Sequence, residues 1–403
     1  MSSAFAAELA DLRERFARLQ PELEVTLRDP ALGVEGFVVV WNTAISKAGP
    51  LPGCAKGGTR IRTGLALDEV RMLARTMAIK NAAAGLPLGG CKSGLCADPA
   101  EPGFEARYRR FVALCKPLTF AEGGPFGGFG FDVGAAPEHA LWACDELGTH
   151  RSFTGKPVHM GGSDYDAEGI AGLGVATAAQ TLLELHQRRV AEHSYAVHGV
   201  GALGAAVVRY QQPTGARLVA LGDPRLGGSW SLPAGASAEL ADALASQDLE
   251  RARSLLAREG ERRYSDPNAV LTADVDVLFP CALQDAITPQ LVDQLRARYI
   301  VEGANHPTHD AAVAGIQAAG IHRLPDFIAN AGGIIAAYVE MTSAVSAADK
   351  ARSRAVVAEA KRTTRDTIAS NVGRVLASAE AENVDLGDAA MHLALRSILD
   401  SAP

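Results

Sequence analysis

Four charged residues in the first third of the sequence stand among glycines and small apolar residues, where a solvated charge would not be expected. They are Lys56 in CAKGGTR, Lys80 in MAIKNAAAG, Lys92 in GGCKSGL and Asp132 in GFGFDVGA. A buried ammonium is costly without an anionic partner, and the carboxylate of a substrate would supply one for Lys80. A lysine held against bare backbone, such as Lys92, suits proton transfer, and Asp132, the one acid in its glycine-rich segment, suits the role of proton shuttle.

Each of these residues also has an ordinary structural explanation. A lysine can lay its stem over apolar surface and keep its ammonium in water, and Asp132 could cap a turn or a helix. Lys92 and Asp132, however, fall in two glycine-rich segments, residues 86–95 and 122–135. These segments are too glycine-dense for the interior of a helix or strand, and they predict places where backbone approaches a ligand. The joint occurrence of the charges and these segments favours a catalytic site.

A GxGxxG motif follows the apolar strand pattern SYAVH and opens the helical pattern ALGAAVVRY. Its glycines are Gly199, Gly201 and Gly204, with Ala202 and Leu203 between the last two. In this context the first glycine permits a tight turn, the second the approach of a pyrophosphate, and the third close packing of helix on strand. The free N–H groups and the dipole of the helix N-terminus favour an anion. The motif therefore predicts a dinucleotide site.

Asp223 ends the apolar segment RLVALGD, about 20 residues after the motif, where an acid binds the adenosine ribose. A carboxylate there accepts hydrogen bonds from the ribose hydroxyls and repels a 2′-phosphate, although Arg225 would offset part of that repulsion. We therefore expect NAD to be favoured over NADP. The alternative is a glycine-rich turn of no special function, with Asp223 as a turn residue before Pro224. The agreement of motif, strand context and acid disfavours it.

The wider pattern of apolar residues predicts the elements that would position these groups. Short apolar strands alternate with helical segments in SYAVHGV, ARLVALGD, VDVLFPC and RYIVEGA, which is typical of a parallel sheet with crossover helices. Earlier in the chain EGFVVVWN predicts a strand and residues 68–85 a helix, and residues 348–379 predict a helical C-terminal run. Residues 227–235, GGSWSLPAG, have the composition of a surface loop. The fold class predicted is α/β.

Length and composition restrict the class of protein further. A chain of 403 residues exceeds what one hydrophobic core usually supports, so two domains are expected. The net charge of −7 and the scattered arginines argue against nucleic acid as a partner, and no apolar run approaches the roughly 18 residues of a membrane span. The N-terminus has the pattern of a mature amphipathic helix, and the cysteines and histidines lack metal-ligand spacing. We expect a cytoplasmic protein without a disulfide or a metal site.

Several motifs also stand in the order and spacing of a known family. These motifs are KGGTR, MAIKNAAAGLPLGGCKSG, FDVG, TGKPVHMGGS, GVGALG, EGAN and PDFIANAGG. Together they resemble the glutamate/leucine/phenylalanine/valine dehydrogenases, over most of the chain from about Gly33 to Glu340. The resemblance implies an α/β substrate-binding and oligomerisation domain in residues 1–165 and a Rossmann domain in residues 166–340. It also implies that the helices of residues 341–403 return to the first domain, and that the protein is a homo-oligomer, most often a hexamer.

The same resemblance implies an activity and assigns roles to individual residues. Family members interconvert an L-amino acid with its 2-keto acid and ammonia, using NAD or NADP. Carried over by position, Lys80 would hold the α-carboxylate of the substrate, and Lys92 and Asp132 would be catalytic. Asn305 in EGAN and Asn330 in NAGG would lie beside the nicotinamide or its ribose.

The sequence departs from the family pattern at positions that bear on substrate choice. Lys56 occupies the position at which glutamate dehydrogenases carry a lysine for the side-chain carboxylate, which favours glutamate. The second side-chain anchor in those enzymes is a serine, whereas this chain has Ala337 in the apolar run that begins at Ile334. Phe131, before the aspartate, is bulkier than the family pattern. We favour glutamate, and a dehydrogenase of a branched-chain or other apolar amino acid is the alternative.

A third hypothesis is a regulatory relative that binds the cofactor but has lost turnover. Its support is the altered residues before Asp132 and Ala171, which replaces a threonine of the family near the cofactor. The presence of Lys80, Lys92 and Asp132 disfavours this hypothesis, because a protein freed from catalysis has no physical need for buried charges.

Overall fold

The computed structural model describes residues 3–47, 49–343 and 350–401. The helices are α1 (Ser3–Arg18), α2 (Leu67–Ala83), α3 (Phe104–Cys115), α4 (Pro137–Leu147), α5 (Ile170–Leu185), α6 (Ala202–Gln211), α7 (Ala238–Ala245), α8 (Leu249–Glu259), α9 (Asp310–Ala318), α10 (Asp326–Ala329), α11 (Gly332–Thr342), α12 (Lys350–Glu382) and α13 (Leu386–Leu399). The strands are β1 (Leu23–Asp29), β2 (Val34–Val40), β3 (Ala55–Lys56), β4 (Thr59–Ile61), β5 (Gly89–Leu95), β6 (Phe129–Gly130), β7 (Phe153–Thr154), β8 (Ser194–His198), β9 (Arg217–Asp223), β10 (Gly228–Ser231), β11 (Glu261–Tyr264), β12 (Val277–Pro280), β13 (Tyr299–Val301) and β14 (His322–Leu324). Among the described residues, no helix combines the length and the apolar composition that a membrane span requires.

The chain folds into two compact units. Of the described residues, the first unit comprises those within 3–165, 334–343, 350–363 and 391–401, and the second comprises Asp166–Gly333 and Thr364–Ala390. This division differs from the predicted one, in which all of residues 341–403 returned to the first domain. In the second unit Leu376 and Leu386 are buried, and a Cβ at Gly387 would lie 2.3 Å from Nη2 of Arg323. These packing contacts assign the middle of the C-terminal segment to the second unit.

Several predicted helices are confirmed, and hydrophobic spacing explains them. Helix α1 buries Phe5, Leu9, Leu12 and Phe16, which recur every three or four residues on one face. Helix α2 covers the segment predicted from residue 68 to residue 85 except for its last two residues. The predicted C-terminal helical run appears as α12, although Ala348, where that run was predicted to begin, lies outside the described residues.

A five-stranded sheet forms the centre of the first unit. Its strand order is β1-β2-β5-β3, with β4 also paired to β5; β1, β2 and β5 are antiparallel neighbours, and β3 and β4 run parallel to β5. The prediction that residues 86–95 avoid a strand interior is wrong, because β5 is the central strand. Its glycines serve close packing instead: a Cβ at Gly90 would lie 2.3 Å from the backbone nitrogen of Ala78 in α2. A helix can approach this strand closely only where the side chain is missing.

The second unit contains the predicted parallel sheet. Its strand order is β11-β10-β9-β8-β12-β13-β14; the five strands from β9 to β14 are parallel, while β10 and β11 are antiparallel additions at one edge. The interpretation of residues 227–235 as a surface loop is wrong, because β10 lies within it. Asp223 pairs with Gly228 across a tight turn, and Leu232 is fully buried. Strand β9 is added on one side of β8 and β12 on the other, so the strand order reverses at β8. Ligands bind at such a switch point in open α/β sheets.

A small parallel pair, β6 and β7, completes the first unit. Phe129 pairs with Phe153 and Gly130 with Thr154. The two phenylalanines are fully buried in the core that also contains Phe111 and Phe126. The pair therefore places the chain just before Asp132 in a rigid, tightly packed setting.

The close approach at Gly90 yields a stability prediction. Gly90→Ala should lower the free energy of unfolding by about 3 kcal/mol or more, because its methyl group would overlap the α2 backbone. The matched change Gly373→Ala in α12 meets nothing within 4 Å, and should raise that free energy by about 0.5–1 kcal/mol, the usual gain in a helix interior. Urea titrations of both variants measure the two effects. Equal stability of the two would contradict the packing described for β5.

Candidate active site

Lys92 and Asp132 form a buried ion pair in the first unit. Lys92 lies in the middle of β5, opposite Val39 of β2, and Asp132 follows β6 by two residues. The Lys92 ammonium contacts Oδ2 of Asp132, and the two side chains are 7% and 17% exposed. The sequence placed both residues in one site, and the structure shows how two distant segments bring them together.

Arg60 is a second cation at Asp132, and sequence reasoning did not identify it. Its Nη2 lies 3.4 Å from Oδ1 of Asp132, and its Nη1 donates to Glu69 at 3.1 Å. Burial would raise the pKa of Asp132, but the charges of Lys92 and Arg60 outweigh burial and hold that pKa below its usual range. Arg60 follows Lys56 by four residues in the KGGTR motif, and this position in the sequence could have indicated Arg60 as a site residue.

Lys56 lies deep in the first unit, on β3. Its Nζ donates to the carbonyl oxygens of Gly128 and Phe129, at 2.8 and 2.6 Å. Burial lowers the pKa of this lysine to about 8, although the nearby Cys91, Cys54 and Glu340 oppose the shift. The structure thus places Lys56 at the strand that leads to Asp132, with two of its three donors used.

Lys80, Ile334 and Ala337 lie on helices of the same unit. Lys80 is half-buried near the end of α2, and the next residue, Asn81, donates to the backbone oxygens of Lys56 and Gly89. Ala337 is buried and Ile334 half-buried on α11. All the residues that the sequence assigned to catalysis or substrate binding therefore belong to one compact unit.

The glycine-rich turn after β8 has the form that a dinucleotide requires. Gly199 has φ +85°, and a Cβ there would lie 2.5 Å from Ala282; a Cβ at Gly204 would lie 2.0 Å from the Gly199 oxygen. Gly201, by contrast, faces open space and precedes α6, whose first residues are Ala202 and Leu203. Gly199 and Gly204 are required by the close packing of the fold, whereas Gly201 leaves room at the N-terminus of the helix. This turn therefore fits a pyrophosphate.

Asp223 holds the glycine-rich turn in place. Its Oδ2 accepts from Val200 N at 2.8 Å and Arg225 Nη2 at 2.9 Å, and its Oδ1 accepts from Arg225 N at 2.8 Å and Nε at 3.1 Å. Burial would raise the pKa of Asp223, and these hydrogen bonds lower it. Four donors already occupy the carboxylate, so a ribose hydroxyl would have to replace one of them. The side chain of Arg225 is 42% exposed beside it.

Asn330 offers a buried polar atom for a ligand. Its Nδ2 donates to Gly303 O at 2.9 Å and to Asn305 Oδ1 at 3.1 Å. Its Oδ1 is buried and accepts no hydrogen bond from the described residues. An unsatisfied buried acceptor is costly, and an amide group of a ligand would satisfy it.

The fold and these sites define a two-domain, dinucleotide-dependent oxidoreductase. Residues 161–402 match the family model of the glutamate/leucine/phenylalanine/valine dehydrogenases, and residues 21–146 match the dimerisation domain of the same family. The chain therefore belongs to the glutamate/leucine/phenylalanine/valine dehydrogenase family, as the sequence motifs predicted, and it is an amino-acid dehydrogenase.

Individual relatives and solved structures agree with this assignment. An NADP(+)-dependent glutamate dehydrogenase of Pyrobaculum calidifontis is 33% identical over 316 residues, which cover 76% of this chain and 72% of the relative. An NAD-specific glutamate dehydrogenase of Peptoniphilus asaccharolyticus is 29% identical, covering 80% and 77%. The solved hetero-hexameric glutamate dehydrogenase of Thermus thermophilus has a TM-score of 0.76 at 25% identity, covering 100% and 97%.

The ion pair at Asp132 yields a prediction about turnover. Lys92→Ala and Asp132→Asn should each lower kcat by at least about 100-fold, the usual contribution of a positioned acid–base group. Binding of the dinucleotide, measured by fluorescence titration, should stay within a factor of about two, because its predicted site lies in the other unit. Lys47→Ala, which removes an exposed lysine of the same unit, is the control. A tenth or more of the parent kcat in either variant would disprove the proposed roles.

Proposed function

We propose that the protein is a glutamate dehydrogenase that converts L-glutamate to 2-oxoglutarate and ammonia, with NAD favoured over NADP. The buried Lys56 ammonium is the observation that carries this proposal. It donates to two carbonyl oxygens, and no carboxylate of the described residues pairs with it. A buried cation is stabilised by an anion, and the side-chain carboxylate of glutamate would be one. The names of the relatives point to the same substrate.

The remaining charged residues divide the chemistry among them. Lys80 holds the α-carboxylate, and Lys92 polarises the attacking water or the carbonyl oxygen of the keto acid. Asp132, ionised between Lys92 and Arg60, accepts and returns protons. The dinucleotide, when bound, supplies the acceptor for the hydride of the substrate Cα. The protein thus contributes position, charge and exclusion of water.

An apolar amino acid is the second candidate substrate, because two observations favour it. Ala337 is buried on α11 and offers no hydroxyl for a carboxylate. Phe131, beside Asp132, packs edge-on against Phe153 with ring centroids 5.1 Å apart, and so presents bulk near the catalytic aspartate. Burying a charged group without a counter-ion costs more free energy than leaving part of an apolar pocket empty. The Lys56 charge therefore favours glutamate over an apolar amino acid.

The proposed preference for NAD rests on the charge of Asp223. A buried carboxylate close to the glycine-rich turn repels a 2′-phosphate, and Arg225 reduces this repulsion because it shares three hydrogen bonds with the acid. Asn305 and Asn330, which are bonded to each other, would lie at the nicotinamide end. We further infer a cytoplasmic homo-oligomer of six subunits, in view of the dimerisation-domain match and the hexameric assembly of the Thermus thermophilus enzyme.

The substrate proposal is tested by changing its two side-chain anchors. Lys56→Leu should lower the ratio of kcat/KM for glutamate to that for leucine by at least about tenfold, because a charged hydrogen bond contributes about 1.5–3 kcal/mol. Steady-state rates on a panel of L-amino acids measure the ratio. Lys56→Leu also leaves two carbonyl oxygens unbonded, so Ala337→Ser is the companion variant. It keeps Lys56 in place, and should move the ratio towards glutamate. An unchanged order of preferred amino acids in both variants would refute the glutamate assignment.

The cofactor proposal is tested at the Asp223–Arg225 pair. Asp223→Ser should reduce the ratio of kcat/KM for NAD to that for NADP by about tenfold, which corresponds to 1.4 kcal/mol, and Arg225→Ala should increase it. Asp274→Ser, which removes an exposed acid of the same unit, should leave the ratio unchanged. A parent enzyme that turns over NADP as well as NAD would show that Asp223 does not discriminate.

A further inference from the structure

Glu340 is a buried acid with no role in the chemistry described above. It lies in the last turn of α11, and its carboxylate accepts from Gly155 N at 2.9 Å, Ser163 N at 3.0 Å and Ser163 Oγ at 2.7 Å. It also pairs with the ammonium of Lys156, and both side chains are 4% exposed. Four donors from one loop therefore converge on one carboxylate.

These bonds connect α11 to the strand pair β6–β7. The loop that surrounds Glu340 begins directly after β7, and the Lys156 ammonium also donates to the backbone oxygen of Phe153 in β7. Phe153 pairs with Phe129 of β6, whose own oxygen accepts from Lys56. Asp132 follows β6 by two residues. A continuous series of hydrogen bonds thus joins α11, through β7 and β6, to the segment that carries the catalytic aspartate.

Packing at the end of α11 supports the same connection. A Cβ at Gly127 would lie 3.2 Å from Cε of Met341, the residue after Glu340, and 2.7 Å from the backbone oxygen of Ala55. Gly127 precedes Gly128, whose carbonyl oxygen is one of the two that accept from the Lys56 ammonium. The last turn of α11 therefore contacts the chain that surrounds the Lys56 ammonium.

Replacing a buried ion pair by apolar residues is often neutral or stabilising, so stability alone does not explain why this one is present. A carboxylate with four donors has one orientation, and that orientation determines the position of the helix that bears it. Ala337 lies one turn before Glu340 on α11, and Ile334 one turn earlier still. The residues assigned to the substrate side chain are thus placed by the bonds of Glu340.

We propose that Glu340 is a positioning residue of the amino-acid site, which fixes α11 against the β6–β7 strand pair and provides a negative charge that acts on Lys56. The second half of this proposal rests on the proposed role of Lys56 with glutamate. The titratable groups that bear on Lys56 are the thiols of Cys54 and Cys91, the Lys156 ammonium and Glu340 itself. Glu340 is the carboxylate among them, so its removal leaves the two lysines without an acid.

The test compares Glu340→Gln with the parent enzyme on L-glutamate and L-leucine between pH 6.5 and 9.5. The variant keeps the shape of the side chain and loses its charge. KM for both amino acids should rise at least about fivefold, because α11 shifts, while KM for NAD stays within about twofold. Burial sets the pKa of Lys56 to about 8, and loss of Glu340 should lower it. The preference for glutamate over leucine, lost as Lys56 deprotonates, should therefore vanish at a lower pH in the variant.

Two further variants separate positioning from stability. Asp276→Asn removes an acid that binds Ser194 in the other unit, and should change the melting temperature without changing either KM or the pH profile. Ser163→Ala removes one donor and keeps the Glu340 charge, so it should raise KM without moving the pH profile. If Glu340→Gln fails to fold, Ser163→Ala tests the proposal alone, and an unchanged KM in Ser163→Ala would overturn it.

Other outcomes of the Glu340→Gln comparison are equally decisive. An equal loss of kcat on both substrates, with unaltered KM and pH profile, would make Glu340 merely structural and overturn the proposal. A parent enzyme that acts on leucine and not on glutamate would refute the glutamate assignment instead. In that case the rise in KM for leucine would still support positioning by Glu340, and its absence would disprove it.

Discussion

The first unit depends on burying cations beside backbone carbonyls and a very small number of acids. Three lysines, Lys56, Lys92 and Lys156, are each at most 7% exposed. Lys56 donates to carbonyl oxygens, Lys92 pairs with Asp132, and Lys156 pairs with Glu340 and donates to a carbonyl oxygen. Charges in such a setting interact strongly, because little water screens them. A site built in this way has well-defined distances and a surplus of positive charge, which is what binding of an anionic substrate requires.

Glycine makes this burial possible, because the lysines must lie against bare backbone. Gly90 brings β5 within contact of the α2 backbone, and a Cβ at Gly128 would lie 2.1 Å from the oxygen of Ser152. Side chains at these positions would separate the strands and admit water, and the ammonium groups would then prefer solvent. The glycine-rich segments of the first unit therefore serve packing as well as ligand approach.

In the second unit the buried charge is an acid, Asp223, and protein donors satisfy it. Asp223 uses all its acceptor capacity to hold Val200 and Arg225, so the glycine-rich turn is rigid before any dinucleotide arrives. Because the carboxylate is satisfied internally, its influence on the adenosine ribose is exerted mainly through charge, and Arg225 moderates it. The acid of a dinucleotide motif can thus be a structural anchor and a selector at once.

The sequence by itself determined the family, the α/β class, the parallel sheet and the glycine-rich turn, because these depend on local periodicity and on motifs whose spacing is short. It also singled out Lys92 and Asp132, although not their contact. Only the tertiary structure decided that β5 is a strand, that Arg60 is the second cation at Asp132, and that Asp223 is already bonded. Glu340 has no local motif to mark it, since its donors lie about 180 residues earlier in the chain. Contacts of that kind are decided by long-range packing, which sequence patterns do not record.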